Sequence, residues 1–516
     1  MSEVLHIGQV LASHAALYPN KVGACDLTRS LTYRDWNAQA CRLANAMTDR
    51  GVRKGDRVAM YAFNRLEWLL FYTACAKNGA VAVPVNFRLA GPEVVYQVQH
   101  SGAKILFVDV VLCAVIDAVR SELGLPSDAL VRIGDGEAVA GWLDFEVLCS
   151  SASDEEPSVS VRPEDTWTLM YTSGTTGRPK GAIRSHGSYA QFWQMNAIEF
   201  GFSRSDKGLC VMPLAHVNSV FYGFVFTWLG ATTCIYDRAS FDPGHMLETL
   251  STQRITFTSL TPTHYIMMLG LPAETRDRFD VSCIGKLLIS SAPARSETKQ
   301  AIMQWFRSSV LFEAYGSTEA GLVTLLRPED QFTKLGSIGR EVVGSARIRL
   351  LDGDRREVPD GEVGEVFSCA PTTFDGYWND PQASAAAFDG AYCTAGDLAR
   401  RDADGYYNLV DRKSNVIITG GEKVFPSEVE QLLVTHPAVK DAAVIGTADD
   451  KWGEAVTGVV VLHAGSETTE AELIRHVRPQ LAGYKCPKRI LFIDDAQMPR
   501  TATGKIQHRE LRQRHT

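Results

Sequence analysis

The sequence has no apolar run long enough to cross a membrane, and it has no excess of basic residues. A membrane-spanning helix needs about 20 predominantly apolar residues in a row, and the 516-residue sequence contains no such run. The formal charge is −8 and the Lys and Arg residues are scattered along the chain, whereas a nucleic-acid backbone is bound by a basic patch. We therefore expect neither a nucleic-acid partner nor an integral membrane segment.

Signals for secretion and for paired cysteines are also missing. The first residues, "MSEVLHIGQVLASHAALYPN", contain acids and lack the basic start and continuous apolar stretch of a signal peptide. The eleven cysteines are widely separated and include no CxxC pair, which favours reduced thiols over a disulfide framework or a zinc site. These features predict a cytoplasmic protein with reduced cysteines.

The remaining composition is that of a folded protein with more than one domain. Hydrophobic residues make up 45% and charged residues 22%, and a chain of this length exceeds the size at which single cores stop growing. Short β-branched segments recur with helical segments between them: "RVAMYAF", "AVAVPV", "KILFVDVV", "GLCVMPL", "TTCIYD", "ITFTSL" and "KLLISS". That alternation predicts an α/β architecture with largely parallel sheets.

One connecting helix is predicted in "RLEWLLFYTACAKNGA". Leu66, Leu69, Leu70 and Ala74 fall on one face of this helix, and Gly79 follows as a candidate C-cap. The strand "AVAVPV" comes next.

The pattern changes in the last third of the chain. From about Ile348, β-rich pieces separated by acidic and glycine turns predict a smaller β-subdomain. Beyond "DRKSN", Ser427 and Glu430 form a predicted capping box, the strand pair "AAVIG" and "VTGVVVLH" follows, and Thr469 and Glu472 open a second helix. The predicted fold is therefore α/β, with two α/β subdomains plus a β-subdomain, followed by a small α+β C-terminal domain.

The stretch "YTSGTTGRPKGA" concentrates glycines, hydroxyl side chains and cations, as a phosphate-binding loop does. It differs from the GxxxxGK[ST] loop, because Pro179 precedes Lys180 and Gly181 stands where Ser or Thr would hold magnesium. It also departs from the GxGxxG dinucleotide fingerprint. Taken alone, such a cluster is more typical of a mobile surface loop.

The order of residues in this stretch resembles the phosphate-loop signature of the adenylate-forming superfamily, which includes acyl-CoA synthetases, adenylation domains and luciferases. Four further segments resemble this family's motifs in the same order: "SSAPA", "EAYGSTEAG", "YCTAGDLA" with "DRKSNVIITGGEKVFPSEVE", and "PRTATGKI". The resemblance covers essentially the whole chain. It implies an N-terminal AMP-binding domain at 1–411 and a small mobile C-terminal domain at 412–516, with the active site at their junction.

The resemblance implies an AMP-forming acid–CoA ligase, which makes an acyl-adenylate from ATP and a carboxylic acid and then a CoA thioester. ATP, coenzyme A and the acid are the expected partners, and Mg²⁺ is the expected cofactor. Catalytic roles are implied for Lys505, Glu319, Thr176 and His216, with the metal at Glu319. The implied ATP/AMP-binding residues are Thr172, Ser173, Gly174, Thr175, Thr176, Gly177, Lys180, Ser291, Ala292, Pro293, Glu313, Ala314, Tyr315, Gly316, Ser317, Thr318, Asp397, Arg412 and Lys505.

The charges at these positions suit the first half-reaction. A carboxylate must approach the α-phosphate of ATP, so positive charge has to offset the repulsion between two anions. Lys505 is expected to neutralise the carboxylate and the bridging oxygen, while Lys180 faces the β and γ phosphates. Asp397 and Arg412 are expected to bind the ribose, although an ordinary surface ion pair is the alternative for each.

The resemblance also implies a rotation of the C-terminal domain for the second half-reaction. The hinge lies near 411–415 and includes Lys413 and Ser414, where many relatives read D-R-x-K-D. The pantetheine chain of CoA is expected to pass Gly420, Gly421 and Glu422, and a plain β-turn is the alternative for these glycines.

The acid is expected to bind in a mostly apolar pocket. His216 resembles the gate position of acyl-CoA and aryl-CoA ligases, and several of the candidate wall residues are equally compatible with the core. The candidates are His216, Asn218, Ser219, Tyr222, Thr261, His264, Tyr265 and Ser290. The segments that supply them contain no Asp to pair with an amino group and no Arg or Lys to hold a second carboxylate. A fatty, alicyclic or aryl carboxylic acid is therefore the predicted substrate.

Two other readings remain open at this point. An adenylating enzyme that loads a carrier-protein phosphopantetheine, or a luciferase-like oxidase, would carry the same motifs. A nucleotide-binding regulatory protein would require a broken motif, but Lys505, Glu319 and Asp397 are all present. No fused carrier domain is expected after "ELRQRHT", and a homodimer is the candidate oligomer.

Overall fold

The computed structural model of the chain describes residues 5–136, 139–172, 178–292, 294–501 and 504–515. The chain forms two compact units, and each consists of two segments. The first unit is Met1–Arg347 with Ser368–Cys393, and the second is Ile348–Phe367 with Thr394–Thr516. The second unit thus includes strands of the predicted β-subdomain, and the predicted domain boundary at 411/412 stays a prediction.

The strands, in chain order, are β1 (Val22–Cys25), β2 (Ser30–Thr32), β3 (Arg57–Ala62), β4 (Val81–Asn86), β5 (Ala103–Asp109), β6 (Leu130–Ile133), β7 (Leu143–Asp144), β8 (Thr166–Thr172), β9 (Lys180–Ser185), β10 (Lys207–Cys210), β11 (Thr232–Ile235), β12 (Phe257–Leu260), β13 (Lys286–Ile289), β14 (Val310–Ser317), β15 (Gly321–Leu326), β16 (Arg340–Glu341), β17 (Arg349–Leu351), β18 (Gly364–Phe367), β19 (Gly376–Tyr377), β20 (Phe388–Asp389), β21 (Tyr392–Cys393), β22 (Asp397–Arg401), β23 (Tyr407–Arg412), β24 (Ile417–Thr419), β25 (Glu422–Val424), β26 (Val439–Asp449), β27 (Gly453–Leu462) and β28 (Arg489–Phe492).

The α-helices, in chain order, are α1 (Ile7–Leu17), α2 (Tyr33–Asp49), α3 (Glu67–Asn78), α4 (Gly91–Ser101), α5 (Cys113–Asp117), α6 (Phe145–Ser150), α7 (His186–Phe200), α8 (Val217–Leu229), α9 (Pro243–Thr252), α10 (Pro262–Leu269), α11 (Ala273–Arg276), α12 (Ser296–Trp305), α13 (Pro381–Ala386), α14 (Pro426–Leu433), α15 (Glu470–Val477) and α16 (His508–His515). Short 3₁₀ turns lie at Val110–Leu112, Arg120–Glu122, Pro328–Asp330, Arg478–Gln480 and Asp495–Gln497. Within the described ranges, no helix has the length and apolar character needed to cross a membrane.

Two large sheets organise the first unit. Their strand orders are β16-β15-β14-β13-β12-β10-β11-β1-β2 and β19-β9-β8-β4-β3-β5-β6-β7. The pairs from β10 to β14 are parallel, and so are β3 with β4 and β5. The predicted α/β architecture with largely parallel sheets is confirmed, and all seven predicted strand segments form strands.

The predicted helix before Gly79 is α3, and Gly79 ends it in the left-handed conformation with a φ of 74°. All twelve residues of α3 are buried, which is more than the single apolar face predicted. The helix packs against α1 and α2 as well as against β4, so protein covers it on more than one side. This double coverage explains why its polar residues are buried too.

The second unit contains two further sheets. Strands β17-β18-β22-β23 form an antiparallel sheet, and β25-β24-β27-β26 form another in which β28 pairs with β27. The long antiparallel pair β26 and β27 is flanked by α14, α15 and α16. The predicted β-rich region and the predicted α+β region are therefore both present.

One of the two predicted capping boxes is confirmed and the other is wrong. The Thr469 side chain accepts a hydrogen bond from the Glu472 N–H at the start of α15, as predicted. Ser427 lies inside α14, where its N–H donates to Asp411 at 2.8 Å and its hydroxyl donates to the Val410 carbonyl. Tertiary contacts with β23 thus engage the side chain that the local pattern assigns to a cap.

The prediction of reduced cysteines is wrong for one pair, because Cys25 and Cys234 form a disulfide. They lie directly opposite each other on the adjacent parallel strands β1 and β11, with their Cα atoms 4.7 Å apart. A separation of 209 residues hides this pairing from the sequence. The other nine cysteines are free.

A histidine–glutamate contact connects α16 to α14 within the second unit. The His508 Nε2 lies 2.6 Å from the Glu430 Oε1, and the same oxygen accepts a hydrogen bond from the Val444 N–H at 2.7 Å. Burial alone lowers the pKa of His508, but the hydrogen bond to Glu430 and the charges of Glu430 and Asp411 raise it above its ordinary value of 6.5. The contact is therefore strongest when the imidazole is protonated.

We expect this contact to make the stability of the second unit depend on pH. Because the folded-state pKa of His508 is raised, its stabilisation is fully present below about pH 6.5 and is lost as the pH rises through the folded-state pKa. His508→Gln should lower the free energy of unfolding by about 1.5–3 kcal/mol at low pH, the range for hydrogen bonds to charged groups. Thermal unfolding of both proteins from about pH 6 to about pH 9 tests this, and a pH-independent difference would contradict it.

Candidate active site

A hairpin of β8 and β9 presents the predicted phosphate loop. The two strands pair antiparallel with Thr172 opposite Lys180, so the loop begins and ends at one end of the sheet. The Lys180 Nζ lies 5.1 Å from the ring centre of Tyr377. The predicted loop contacts of Ser173, Gly174, Thr175, Thr176 and Gly177 lie outside the described residues, as does Pro293.

The segment "YGSTEAG" forms the connection between β14 and β15. Ser317 accepts a hydrogen bond from the Ala320 N–H at 2.9 Å and closes a tight turn that contains Thr318 and Glu319. Gly316 has no room for a side chain, since a Cβ there would lie 2.1 Å from the Gly321 carbonyl oxygen. We call the segment Ser317–Gly321 the acidic turn.

The Glu319 carboxylate is buried and held by one tyrosine. The Tyr377 hydroxyl donates to the Glu319 Oε1 at 2.9 Å, and burial together with the charge of Glu319 raises the pKa of Tyr377. Glu319 also accepts a main-chain hydrogen bond from the Phe374 N–H at 2.7 Å. Tyr377 therefore links the predicted magnesium ligand Glu319 to the predicted phosphate ligand Lys180.

The metal would depend on Glu319 and on substrate oxygens. Over the described part of the chain, no group of three or more acidic, His or Cys side chains forms a metal cage. A single carboxylate fits the way Mg²⁺ is bound together with substrate phosphates, by one or two carboxylates rather than a full protein cage. The enclosed carboxylate of Glu319 thus fits a magnesium ion that arrives with ATP.

The predicted adenine-side residues follow β13. Ser291 has a left-handed backbone with a φ of 70°, a conformation that is uncommon outside glycine. Glu313 forms a buried ion pair with Lys299 of α12 and accepts a hydrogen bond from the Ala294 N–H at 3.4 Å. Burial raises the pKa of Glu313 and Lys299 lowers it. Glu313 therefore connects α12 to the chain segment that follows β13, while Ala292, Ala314 and Tyr315 are half-buried.

Polar side chains meet where α8 approaches the ends of β12 and β13. The Asn218 Nδ2 donates to the Ser290 Oγ at 2.9 Å, and the Ser259 and Ser290 hydroxyls are 2.9 Å apart. His216 caps α8 and accepts a hydrogen bond from the Asn218 N–H at its Nδ1. The structure thus brings His216, Asn218 and Ser290 of the predicted acid pocket together.

Other predicted pocket residues have contacts typical of a core. Tyr265 is 0% exposed and donates to the Leu288 carbonyl at 3.2 Å, and Tyr222 packs among phenylalanine rings. Burial lowers the pKa of His264 to about 4, and its Nδ1 lies 3.1 Å from the Thr261 hydroxyl. Ser219 donates to the Met212 carbonyl at 2.7 Å. A role in acid binding stays a prediction for these five residues.

The second unit holds the predicted ribose-binding pair. Asp397 and Arg412 lie opposite each other on β22 and β23, and the Arg412 Nε donates to the Asp397 Oδ1 at 3.1 Å. The carboxylate is buried, whereas the side chain of Arg412 is 47% exposed. Ribose binding by this pair stays a prediction.

The predicted catalytic lysine lies in a closed loop of the same unit. The Thr501 N–H donates to the Lys505 carbonyl at 2.7 Å, and the Lys505 N–H donates to the Thr501 hydroxyl at 3.1 Å. Lys505 is exposed, yet nearby protein atoms and the charge of Arg412 lower the pKa of its amino group, while Asp397 raises it. Lys505, Arg412 and Asp397 therefore act on one another electrostatically.

The residues of the predicted hinge make polar contacts within the second unit. Lys413 forms an ion pair with Glu365 of β18 at 2.8 Å. The Ser414 hydroxyl lies 3.4 Å from the Asn415 Oδ1, and Asn415 donates to the Asp411 carboxylate at 3.1 Å. Asn415 and Asp411 thus contact each other on either side of Ser414, the position at which many relatives have a charged residue.

The predicted pantetheine hairpin joins β24 to β25 by a two-residue turn. Gly420 and Gly421 have φ values of 58° and 87°, and Thr419 pairs with Glu422 across the turn. A Cβ at Gly420 would lie 2.8 Å from the Trp452 ring. The positive φ and the nearby Trp452 ring thus both favour glycine at position 420. A β-turn alone accounts for the positive φ, so CoA binding at this hairpin stays a prediction.

Three side chains that hold the candidate site are marked by no pattern in the sequence. They are Arg184, which contacts the acidic turn, Lys299 beneath Glu313, and Tyr377 beside Glu319. Tyr377 lies in the last segment of the first unit, Ser368–Cys393, and no local pattern marks it as a partner of Glu319. Only the strand pairing of β19 with β9 brings it there.

Comparison with known proteins gives two family models that match successive parts of the chain. The model of the AMP-binding enzyme family matches residues 11–378, and the model of the AMP-binding enzyme C-terminal domain matches residues 428–505. The chain is 36% identical over 488 residues to a feruloyl-CoA synthase of an Amycolatopsis species, which covers 94% of each chain. It is 32% identical to an indoleacetate–CoA ligase of Aromatoleum aromaticum over 99% of this chain and 98% of that one.

A solved structure has the same fold. An anthranilate CoA ligase in complex with anthranoyl-AMP superimposes with a TM-score of 0.89 at 27% identity, covering 100% of this chain and 98% of that chain. The predicted α/β fold with a separate C-terminal region is therefore confirmed.

Proposed function

The chain belongs to the AMP-binding enzyme family, and from this premise we propose that it activates an aryl, alicyclic or fatty carboxylic acid. It is an ATP-dependent acid–CoA ligase that acts through an acyl-adenylate and uses ATP, Mg²⁺ and CoA. The observation that carries the proposal is the complete set of charged groups: Lys180 and Glu319 in the first unit, and Asp397, Arg412 and Lys505 in the second.

In the proposed first half-reaction, a carboxylate oxygen of the acid forms a bond to the α-phosphorus of ATP, and the bond to the pyrophosphate oxygen breaks. Bound Mg²⁺ supplies positive charge to the departing pyrophosphate. Glu319 would hold this ion, Lys180 binds the β and γ phosphates, and Lys505 offsets the negative charge of the incoming carboxylate. Asp397 and Arg412 hold the ribose, so that the α-phosphate is correctly oriented.

In the proposed second half-reaction, the CoA sulfur attacks the acyl carbonyl, the thiol proton is released and AMP departs. We propose that the domain from residue 412 onwards rotates about Lys413 and Ser414 between the two steps. The hairpin at Gly420, Gly421 and Glu422 then lines the pantetheine path. His216 caps the helix that carries Asn218 and stands at the entrance of the acid pocket.

The acid class follows from the side chains around His216. The helix α8 that bears Asn218 is rich in aromatic and aliphatic residues, and the ring of its Phe221 stacks on Phe192 of α7 with the ring centres 3.7 Å apart. Such a wall favours an apolar acid body, and the polar contacts of Asn218 and Ser290 suit a single oriented polar group. The feruloyl-CoA synthase and the indoleacetate–CoA ligase, whose names specify aryl acids, support the same class of acid for this chain.

Mass spectrometry of thioester products tests this proposal. The protein is incubated with ATP, magnesium, CoA and a panel of fatty, aryl, alicyclic and dicarboxylic acids. We expect the protein to form acyl-CoA and AMP in equal amounts from aryl, alicyclic or fatty acids. Acyl-adenylate without acyl-CoA would contradict the CoA step and favour transfer to a carrier-protein phosphopantetheine.

We also propose that the protein is a homodimer in the cytoplasm. Light scattering of the purified chain measures its mass directly, and a monomer mass over the working concentration range would contradict the dimer. Cell fractionation with antibody detection tests the location.

A further inference from the structure

Arg184 is an arginine enclosed in the first unit, four residues after Lys180 on β9. It is 0% exposed and is among the largest fully buried side chains of the chain. A charged side chain in a strand usually faces solvent, because burial of a charge without a charged partner is unfavourable. Its position therefore requires an explanation.

The guanidinium of Arg184 binds two main-chain carbonyls. Its Nη1 donates to the Thr318 carbonyl at 2.7 Å, and its Nη2 donates to the Thr372 carbonyl at 2.6 Å. Thr372 in turn donates from its hydroxyl to the Ala320 carbonyl at 3.1 Å. Arg184 thus holds the acidic turn directly at Thr318 and indirectly at Ala320.

The charge of Arg184 is not matched by an ion pair in the described part of the chain. Its guanidinium lies 5.1 Å from the ring centre of Tyr189 and 5.0 Å from that of Phe221. Asp375 and Glu319 act on it only through their more distant charge. Its Nε has no hydrogen-bond partner among the described residues. Burial lowers the pKa of Arg184, but a guanidinium remains protonated in proteins.

An apolar side chain of similar volume could occupy the space beside the rings of Tyr189 and Phe221. What an apolar side chain lacks is the pair of donors directed at Thr318 and Thr372. The two donors and the enclosed positive charge are therefore the properties that distinguish arginine at this position.

We infer that Arg184 is a positioning residue for adenylation, which fixes the main chain of the acidic turn so that Thr318 and Glu319 face ATP and its magnesium. This inference rests on the proposed ligase function. A positive charge in an enclosed site is little screened, so Arg184 also favours the anionic phosphates at the turn. The CoA step makes no use of the magnesium site and does not depend on Arg184.

Two substitutions of Arg184 test the contributions of its hydrogen-bond donors and its charge. Arg184→Met removes the donors and the charge, whereas Arg184→Gln keeps one amide donor without charge. Arg132 provides a matched control, because it is also buried, lies on the same sheet in β6, and donates to the Gly136 carbonyl and to Asp144. Arg132→Met reports what the loss of a buried arginine does to folding.

The experiment measures both half-reactions with the full-length chain. For Arg184→Met we expect kcat/KM for MgATP in acid-dependent pyrophosphate exchange to fall about 100-fold, the usual effect of a small misplacement of reacting groups. The Mg²⁺ concentration for half-maximal rate should rise, and the KM for the acid should stay unchanged. Arg184→Gln should lose less than Arg184→Met, since one donor of two remains. Thioester formation from supplied acyl-adenylate should remain near the wild-type rate.

Three results would overturn the inference. The first is an equal fall in the rates of both half-reactions in Arg184→Met. The second is an unchanged Mg²⁺ concentration for half-maximal rate in that variant. The third is a loss of adenylation rate in Arg132→Met as large as in Arg184→Met. If Arg184→Met does not fold, the comparison of Arg184→Gln with the wild type decides the matter. Failure of the proposed function is distinct, because the wild-type chain itself would then form no acyl-CoA.

Discussion

Lys505→Ala is expected to reduce acyl-adenylate formation by about a thousandfold, at the upper end of what loss of one charge-stabilising group costs. The reacting carboxylate and the α-phosphate are both anionic, and Lys505 is the cation proposed to offset their repulsion. Nearby protein atoms and the charge of Arg412 lower the pKa of Lys505, while the charge of Asp397 raises it. Thioester formation from supplied acyl-adenylate should be nearly unchanged, because the lysine is not used in that step.

The measurement compares pyrophosphate exchange with single-turnover thioester formation. Lys440→Ala is the control, because Lys440 is an exposed lysine of the same unit that pairs with Asp495 at 2.7 Å. It should leave both rates as in the wild type. An equal loss of both half-reactions in Lys505→Ala would show that the assigned role is wrong.

Glu319→Gln is expected to lower the adenylation rate about 100-fold to a thousandfold, since the metal loses its charged protein ligand. The Mg²⁺ concentration needed for half-maximal rate should rise strongly, because a neutral amide binds magnesium more weakly than a carboxylate does. Tyr377 donates to the Glu319 carboxylate at 2.9 Å, so the side chain is already oriented for this role. Rates measured over a magnesium titration test the prediction.

Two further substitutions show whether the effect belongs to the metal. Tyr377→Phe keeps the carboxylate and removes one hydrogen bond, so it should cause a smaller loss in the same direction. Glu199→Gln changes a carboxylate of the same unit that pairs with Arg327 at 2.7 Å, and it should not alter the magnesium dependence. If Glu319→Gln and the wild type need the same magnesium concentration for half-maximal rate, Glu319 is not a ligand of the metal.

The sequence predicts the parts of this molecule that depend on local pattern. Alternating β-branched segments form the strands of parallel sheets, and Gly79 ends α3 in the left-handed conformation. The ordered motifs predict the family, and strand pairing then places Asp397 opposite Arg412. These features depend on residues that are close in sequence or on motifs that are contiguous in the sequence.

Features that depend on distant contacts could not be predicted in this way. The pairing of Cys25 with Cys234 follows from the adjacency of β1 and β11. Ser427 has the pattern of a cap, but its contacts with Val410 and Asp411 determine its role. Arg184 looks like an ordinary strand cation in the sequence, and only the position of the Thr318 carbonyl shows what it binds.

The second unit is encoded by two separate stretches of the gene, because Ser368–Cys393 returns to the first unit between them. Recombination with a relative at residue 412 would therefore combine two parents inside one unit. The partners Asp397 and Arg412, and the partners Asp411 and Ser427, would then descend from different parents. Chimeras with crossovers at 347/348, 367/368 and 393/394 keep each of these pairs from one ancestor, so they should yield more active ligases than single-crossover chimeras.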